Sequence, residues 1–146
     1  MLLPNGISGF YDSKSNLQIF EPKRFKQICY RLIDFNQGKL LSFDCSLDNK
    51  NFYIAELILI RKHCYLLMNA YYPYFAFASS IENGNVTFIE IPKNLMIDLS
   101  DCLFLNQDEL TLSCEESIQM LNSVELYQIQ YYKPKTVGEI IYNFWD

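Results

Sequence analysis

Residues 52–60, FYIAELILI, decide how this chain is read. From Tyr53 onward the run is almost continuous in apolar side chains, which marks a central strand covered on both faces. Such a strand needs neighbours, and the flanking sequence supplies them. KLLSFDCSL at 39–47, CYLLMNA at 64–70, YFAFASS at 74–80 and VTFIEI at 86–91 are short runs rich in Tyr, Phe, Ile and Leu. RKH at 61–63 and ENGN at 82–85 read as the loops between them, Asn-Gly being a tight-turn signal. The expectation is an antiparallel meander.

Helices flank this sheet. In EPKRFKQICYRLIDF, residues 21–35, the positions Phe25, Ile28, Cys29, Leu32 and Ile33 form one helical stripe. Pro22 suits the first turn and Gly38 follows the end. Beyond Pro92, NLMIDLSDCLFL (94–105) and ELTLSC (109–114) read as further short strands. SCEESIQML reads as a helical turn or two opened by a capping box, Ser113 to Glu116. SVELYQIQYY (123–132) alternates like a strand, but Asn122-Ser123 forms a cap and the helical reading is preferred. In TVGEIIYNFWD (136–146), a second box from Thr136 to Glu139 opens a short helix. Ile140, Ile141, Phe144 and Trp145 would line its apolar side and dock the C-terminus in the core. NGISG at 5–9 reads as a turn that lays the N-terminal segment across the sheet. The fold expected is α+β: a single domain over residues 1–146, an antiparallel sheet with an early amphipathic helix and a short C-terminal helix packed on it.

Little in the composition points to catalysis. Half the residues are hydrophobic, and the 11 tyrosines, whose hydroxyls need water or a partner, suit both a core rim and a recognition surface. The start, MLLPNGISGF, lacks a signal-peptide pattern, and no stretch approaches the ~20 apolar residues of a membrane span, so a cytoplasmic location without membrane contact is expected. Five scattered cysteines suggest neither a disulfide framework nor a zinc site, and no cofactor or metal is expected. His63, the single histidine, reads as a loop residue; it adjoins Cys64, but neighbours on a strand point to opposite faces, which argues against a cysteine nucleophile. Carboxylate pairs remain, Asp98 with Asp101, Asp108 with Glu109 and Glu115 with Glu116; they keep a small hydrolase open as one reading.

Charge is distributed unevenly. Residues 1–80 hold nine Lys or Arg against six Asp or Glu, whereas residues 81–146 hold three against eleven. Between Lys93 and Lys133 there is no basic residue, and that stretch carries Asp98, Asp101, Asp108, Glu109, Glu115, Glu116 and Glu125. Such a face repels phosphates, which excludes direct nucleic-acid binding there, and attracts a basic protein.

LPNGISGFY (3–11), YYPYFAFAS (71–79) and YYKPKTVGEIIYNFWD (131–146) together resemble immunity proteins of bacterial contact-dependent growth inhibition and related polymorphic toxin systems. The resemblance implies a non-enzymatic, cytoplasmic protein that binds a cognate toxin domain and covers its active site or substrate surface. It also implies an acidic inhibitor, because such toxins are often nucleases with basic channels. The seven carboxylates from Asp98 to Glu125 are then the expected toxin contacts. The alternative is a protein-binding or structural module with another basic partner, or a homodimer formed through an exposed strand edge.

Overall fold

α1, Pro22–Asn36, is built on one apolar stripe: Phe25, Ile28, Cys29 and Leu32 are buried, Ile33 packs half-buried beside them, and the opposite side of the helix faces solvent. Proline at its first turn needs no N–H partner, and the helix stops where Gln37 takes a left-handed conformation (φ 50°) with its N–H on the Ile33 carbonyl. Gly38 then passes so close to β2 that a Cβ there would lie 2.6 Å from the Ile58 carbonyl oxygen. The glycine is required by that approach, since the turning is done by Gln37. The computed structural model describes every residue except Ser13, Asp98, Leu99 and Asp146.

The sheet is a meander. β1 (Lys39–Asp44), β2 (Phe52–Leu59), β3 (Lys62–Asn69), β4 (Tyr74–Glu82) and β5 (Asn85–Ile89) lie in sequence order, each antiparallel to the next. A sixth strand, β6 (Leu103–Phe104), pairs in parallel with the start of β4. On β2, Tyr53, Ala55, Leu57 and Leu59 are buried on the face that α1 covers. The other face carries Phe52, Leu67, Ala76 and Ala78 under the N-terminal segment and three later helices: α2 (Gln107–Leu110), α3 (Ser123–Tyr132) and α4 (Val137–Ile141). Cover on this second face stops part-way along β2, because Glu56 and Ile58 stay half-exposed. The chain is therefore α+β, with the sheet between two unequal layers.

Several boundaries differ from the sequence reading. RKH is not a loop: β3 begins at Lys62, and the β2–β3 connection is the two-residue turn Ile60-Arg61. Both residues adopt positive φ, 50° and 63°, as a two-residue hairpin demands, although neither is Gly or Asn. A left-handed conformation costs such residues roughly 1–2 kcal/mol each. Ile60→Asn combined with Arg61→Gly is therefore expected to stabilise the protein by about 1–2 kcal/mol, read as a melting temperature raised by roughly 3–8 °C. A lowered melting temperature would show that the Ile60 side chain contributes more than the turn strain costs. The Asn83-Gly84 turn between β4 and β5 has the same geometry with the favoured residues.

Among the described residues after Pro92, only Leu103 and Phe104 form a strand; Asp98 and Leu99 of the expected NLMIDLSDCLFL strand lie outside the described residues. ELTLSC is not extended, because Asn106 caps α2 through its own box with Glu109 and carries Glu109 and Leu110 into the helix. The Ser113–Glu116 box does not form either: Ser113 bridges Thr136, and the Cys114 N–H donates to the Lys135 carbonyl (3.2 Å), tying this backbone to the loop before α4. SVELYQIQYY is helical, capped by Asn122 and Glu125. The Thr136–Glu139 box is present, yet α4 ends at Ile141 because Tyr142 turns extended (φ −125°, ψ 91°). Phe144 and Trp145 thus leave the helical stripe: Phe144 meets Phe52 edge-on (5.2 Å, 81°) and Trp145 stacks on Tyr132 (5.1 Å, 3°).

Candidate interaction surface

His63 shows first what the sheet can and cannot do chemically. As a β3 residue opposite Ile58 it projects to the open part of the second face, where its Nε2 lies 2.6 Å from Glu56 Oε2. Ser42 on β1 donates to the other oxygen of Glu56 at 3.2 Å, and the carboxyl is held below the usual range, chiefly by the histidine. Serine, acid and histidine are thus together but in the wrong order: a relay needs histidine between serine and acid, whereas here Glu56 sits between them. Cys64 points the opposite way into the core, and burial pushes its thiol up to about 11, far from the thiolate a nucleophile needs. Among the described residues no group of three or more His, Cys, Asp or Glu is gathered to hold a metal.

Of the seven carboxylates expected to form one face, the described ones are dispersed by the fold. Asp98 lies outside the described residues. Asp101 is drawn to α1, where it accepts from Arg24 at 3.1 Å, and the Ser100 hydroxyl and that guanidinium hold its carboxyl low. Glu109 is half-buried as the reciprocal partner of Asn106 in the α2 cap. Asp108, Glu115 and Glu116 are exposed, and none has an ion-pair partner among the described residues. The basic gap in the sequence is narrower in space, since the bridge from Ser113 to Thr136 brings Lys133 and Lys135 to the same end of the molecule.

Glu125 is the correction of most consequence. It is fully buried, and a partner cannot reach it. Its Oε1 accepts from the Gly6 N–H (2.7 Å) and from Asn122 Nδ2 (2.9 Å), while Oε2 accepts from the Ser8 N–H (3.0 Å) and the Ser8 hydroxyl (2.6 Å). Among the described residues it has no ion-pair partner, and these hydrogen-bond donors compensate the carboxylate. Gly6 at φ 84° supplies the turn that aims these N–H groups, as NGISG was expected to turn the segment across the sheet. The side-chain amides of Asn51 and Asn69 both donate to the carbonyls of Ile7 and Ile141, and that of Asn143 to Ser8, so the buried polar residues sew the N-terminal segment to the sheet and the C-terminus. Within it, Leu3 and Ile7 are fully buried.

The outward side of the same helix was not singled out from the sequence. Tyr127 and Tyr131, one turn apart on α3, are 68% and 72% exposed. Met120, just ahead of the helix, is 62% exposed. A signal was present: apart from Glu125, SVELYQIQYY holds no charged residue, so whatever face looks outward must be uncharged and rich in tyrosine.

Set against known proteins, the chain matches no family model, no curated protein and no solved structure. No described helix is long and apolar enough to cross a membrane. The fold and surface define an α+β protein in which Asp108, Glu115, Glu116, Tyr127 and Tyr131 are exposed on the side of the sheet opposite α1.

Proposed function

We propose that this chain is a cytoplasmic immunity protein that neutralises a cognate toxin domain, a basic nuclease, by occluding its active site or substrate surface, without chemistry of its own. The observation that carries the reading is the unpaired set Asp108, Glu115 and Glu116, exposed on the connected stretch from α2 to the turn after it. Such carboxylates stand where nucleic-acid phosphates would meet a toxin's Lys and Arg. They raise the rate of encounter with a basic surface, and a pair desolvated at the centre of the interface is worth several kcal/mol against about 1 kcal/mol or less at its rim. The resemblance at the two ends of the chain and at residues 71–79 supports the same reading. Self-association through the edge strand β1 is the competing possibility, and that strand carries a bulge between Leu40 and Ser42, a feature that discourages edge pairing.

The test is capture of partners by the tagged protein from the cells that make it, at low and at high salt, with each captured domain then expressed alone and beside the chain. The expected result is a basic domain of a larger secreted protein, released by salt, that harms cells alone and is tolerated when the chain is present. A stable self-assembly in sedimentation, with no basic domain captured, would overturn the proposal.

A further inference from the structure

The geometry points to a small-molecule site that the inhibitor reading does not use: the hollow between the β2–β3 turn and residues 89–94 takes an aliphatic carboxylate, its chain on the apolar lining and its head group at two lysines.

The hollow exists because the sheet splits. β3 keeps its partner β2 as far as Lys62, but β4 pairs with β3 only at Tyr65 and beyond, where Tyr65 faces Ala78. Past Ala78 a bulge before Ser80 accompanies the departure of β4, which continues with β5. The chain leaving β5 then runs as a strap to the end of α1. Gln107 fixes its start by donating to the Phe88 carbonyl (3.0 Å). Asn36 fixes its end, donating to the Met96 carbonyl (2.9 Å) and accepting the Met96 N–H (2.7 Å). The space left between turn and strap is about 610 Å³, within the roughly 300–1,000 Å³ of a small-molecule pocket.

The lining selects the occupant. Leu59 and Cys64 are buried at the back of the hollow, and burial keeps the Cys64 thiol protonated, so it packs as a small hydrophobe. Ile60, Ile89, Ile91 and Pro92 complete the apolar wall. Among the described residues no Phe, Tyr or Trp lines it, so it has no aromatic platform for a base or a sugar, and it fits a flexible aliphatic chain. Its exposed charged or titratable side chains are Lys62, Lys93, His63 and Glu90. His63 is already engaged by Glu56 at 2.6 Å. Neither lysine has an ion-pair partner among the described residues, and Arg61 adds a cation in the turn between Ile60 and Lys62. Against these stands Glu90, so the mouth is positive on balance. An anionic head group gains two ammonium donors there, whereas a neutral or cationic head group does not.

The experiment titrates the protein with sodium decanoate, 1-decanol and decyltrimethylammonium, following backbone amide signals by NMR and affinity by calorimetry. Decanoate is expected to saturate at one molecule per chain, to shift the signals of residues 59–64 and 89–94, and to bind at least about tenfold more tightly than either other probe. Lys62→Gln with Lys93→Gln is expected to weaken decanoate about ten- to a hundredfold and to leave decanol and the melting temperature unchanged. Glu90→Gln, which removes the opposing charge, is expected to tighten decanoate about two- to fivefold. Equal affinity for decanol, a lysine double variant that binds decanoate as the parent does, or shifts centred on other residues would overturn the assignment. Absence of saturable binding would overturn it as well. Vesicles of phosphatidylglycerol and phosphatidylcholine present anionic head groups as a surface, and the protein is expected not to float with them; co-flotation abolished by the lysine double variant would overturn a free ligand and put a membrane in its place.

Discussion

Glu125→Ala is expected to destabilise the protein by about 3–5 kcal/mol, a large part of the roughly 5–15 kcal/mol that holds a domain of this kind folded. The substitution leaves the Gly6 N–H and the Ser8 N–H and hydroxyl without their acceptor in a site closed to solvent, whereas the Asn122 amide keeps Asn5 Oδ1 and the Phe10 carbonyl. Each unpaired donor costs about 1–3 kcal/mol, less whatever a water entering the space left by the side chain restores. Glu125→Gln keeps the shape but turns an amide NH2 toward donors, so it is expected to lose less than alanine and clearly more than a surface change. Glu115→Ala, on an exposed side chain, is expected to stay within about 0.5 kcal/mol of the parent. Urea unfolding of the three variants decides it: a loss below about 1 kcal/mol for Glu125→Ala would mean that the carboxylate does not hold the N-terminal segment.

Phe52→Ala carries the second large effect, about 3–5 kcal/mol. The ring opens β2 and is fully buried, with Tyr142 edge-on at 5.6 Å and Phe144 at 5.2 Å. Removing it deletes the seat of the extended C-terminal segment, and the surrounding groups are pinned by the Asn51 and Asn143 hydrogen bonds, which limits collapse into the cavity. Trp145, the single tryptophan, stacks on Tyr132 just beyond that seat and reports the loss as a shift in emission. A normal emission spectrum together with a loss below about 1 kcal/mol would show that the C-terminus is held elsewhere. Tyr131→Ala, by contrast, is expected to leave stability unchanged, since its ring is exposed.

What could be read beforehand follows from how local each signal is. α1 and the meander were legible because burial on one or both faces imposes a period on consecutive residues, as in Phe25, Ile28, Cys29 and Leu32 or in Tyr53, Ala55, Leu57 and Leu59. The Asn122 and Thr136 caps were legible for the same reason, each being complete within four residues. The turn at Ile60-Arg61 was hidden because its residues are not those the geometry prefers; the register of β2 and β3 imposes it. Ser113 lost its cap to a bridge with Thr136, a contact between distant parts of the chain.

Charge was legible only as a sum. The stretch from Asp98 to Glu125 looked uniform, yet Arg24 takes Asp101, the α2 cap takes Glu109, and the interior takes Glu125. In the sequence Glu125 and Glu116 are alike. In the fold one is a fastening inside the core and the other is free to meet a partner, because long-range donors from Gly6 and Ser8 reach only the first.

The most direct test of the account is the association rate between this chain and its captured basic domain, measured for the parent protein and for Glu115→Lys with Glu116→Lys at low and physiological salt. The account predicts an on-rate reduced about 10–100-fold at low salt, a difference that narrows as salt rises, and an unchanged melting temperature. An on-rate equal to the parent's at both salts would contradict it, and would place the docking surface away from Glu115 and Glu116.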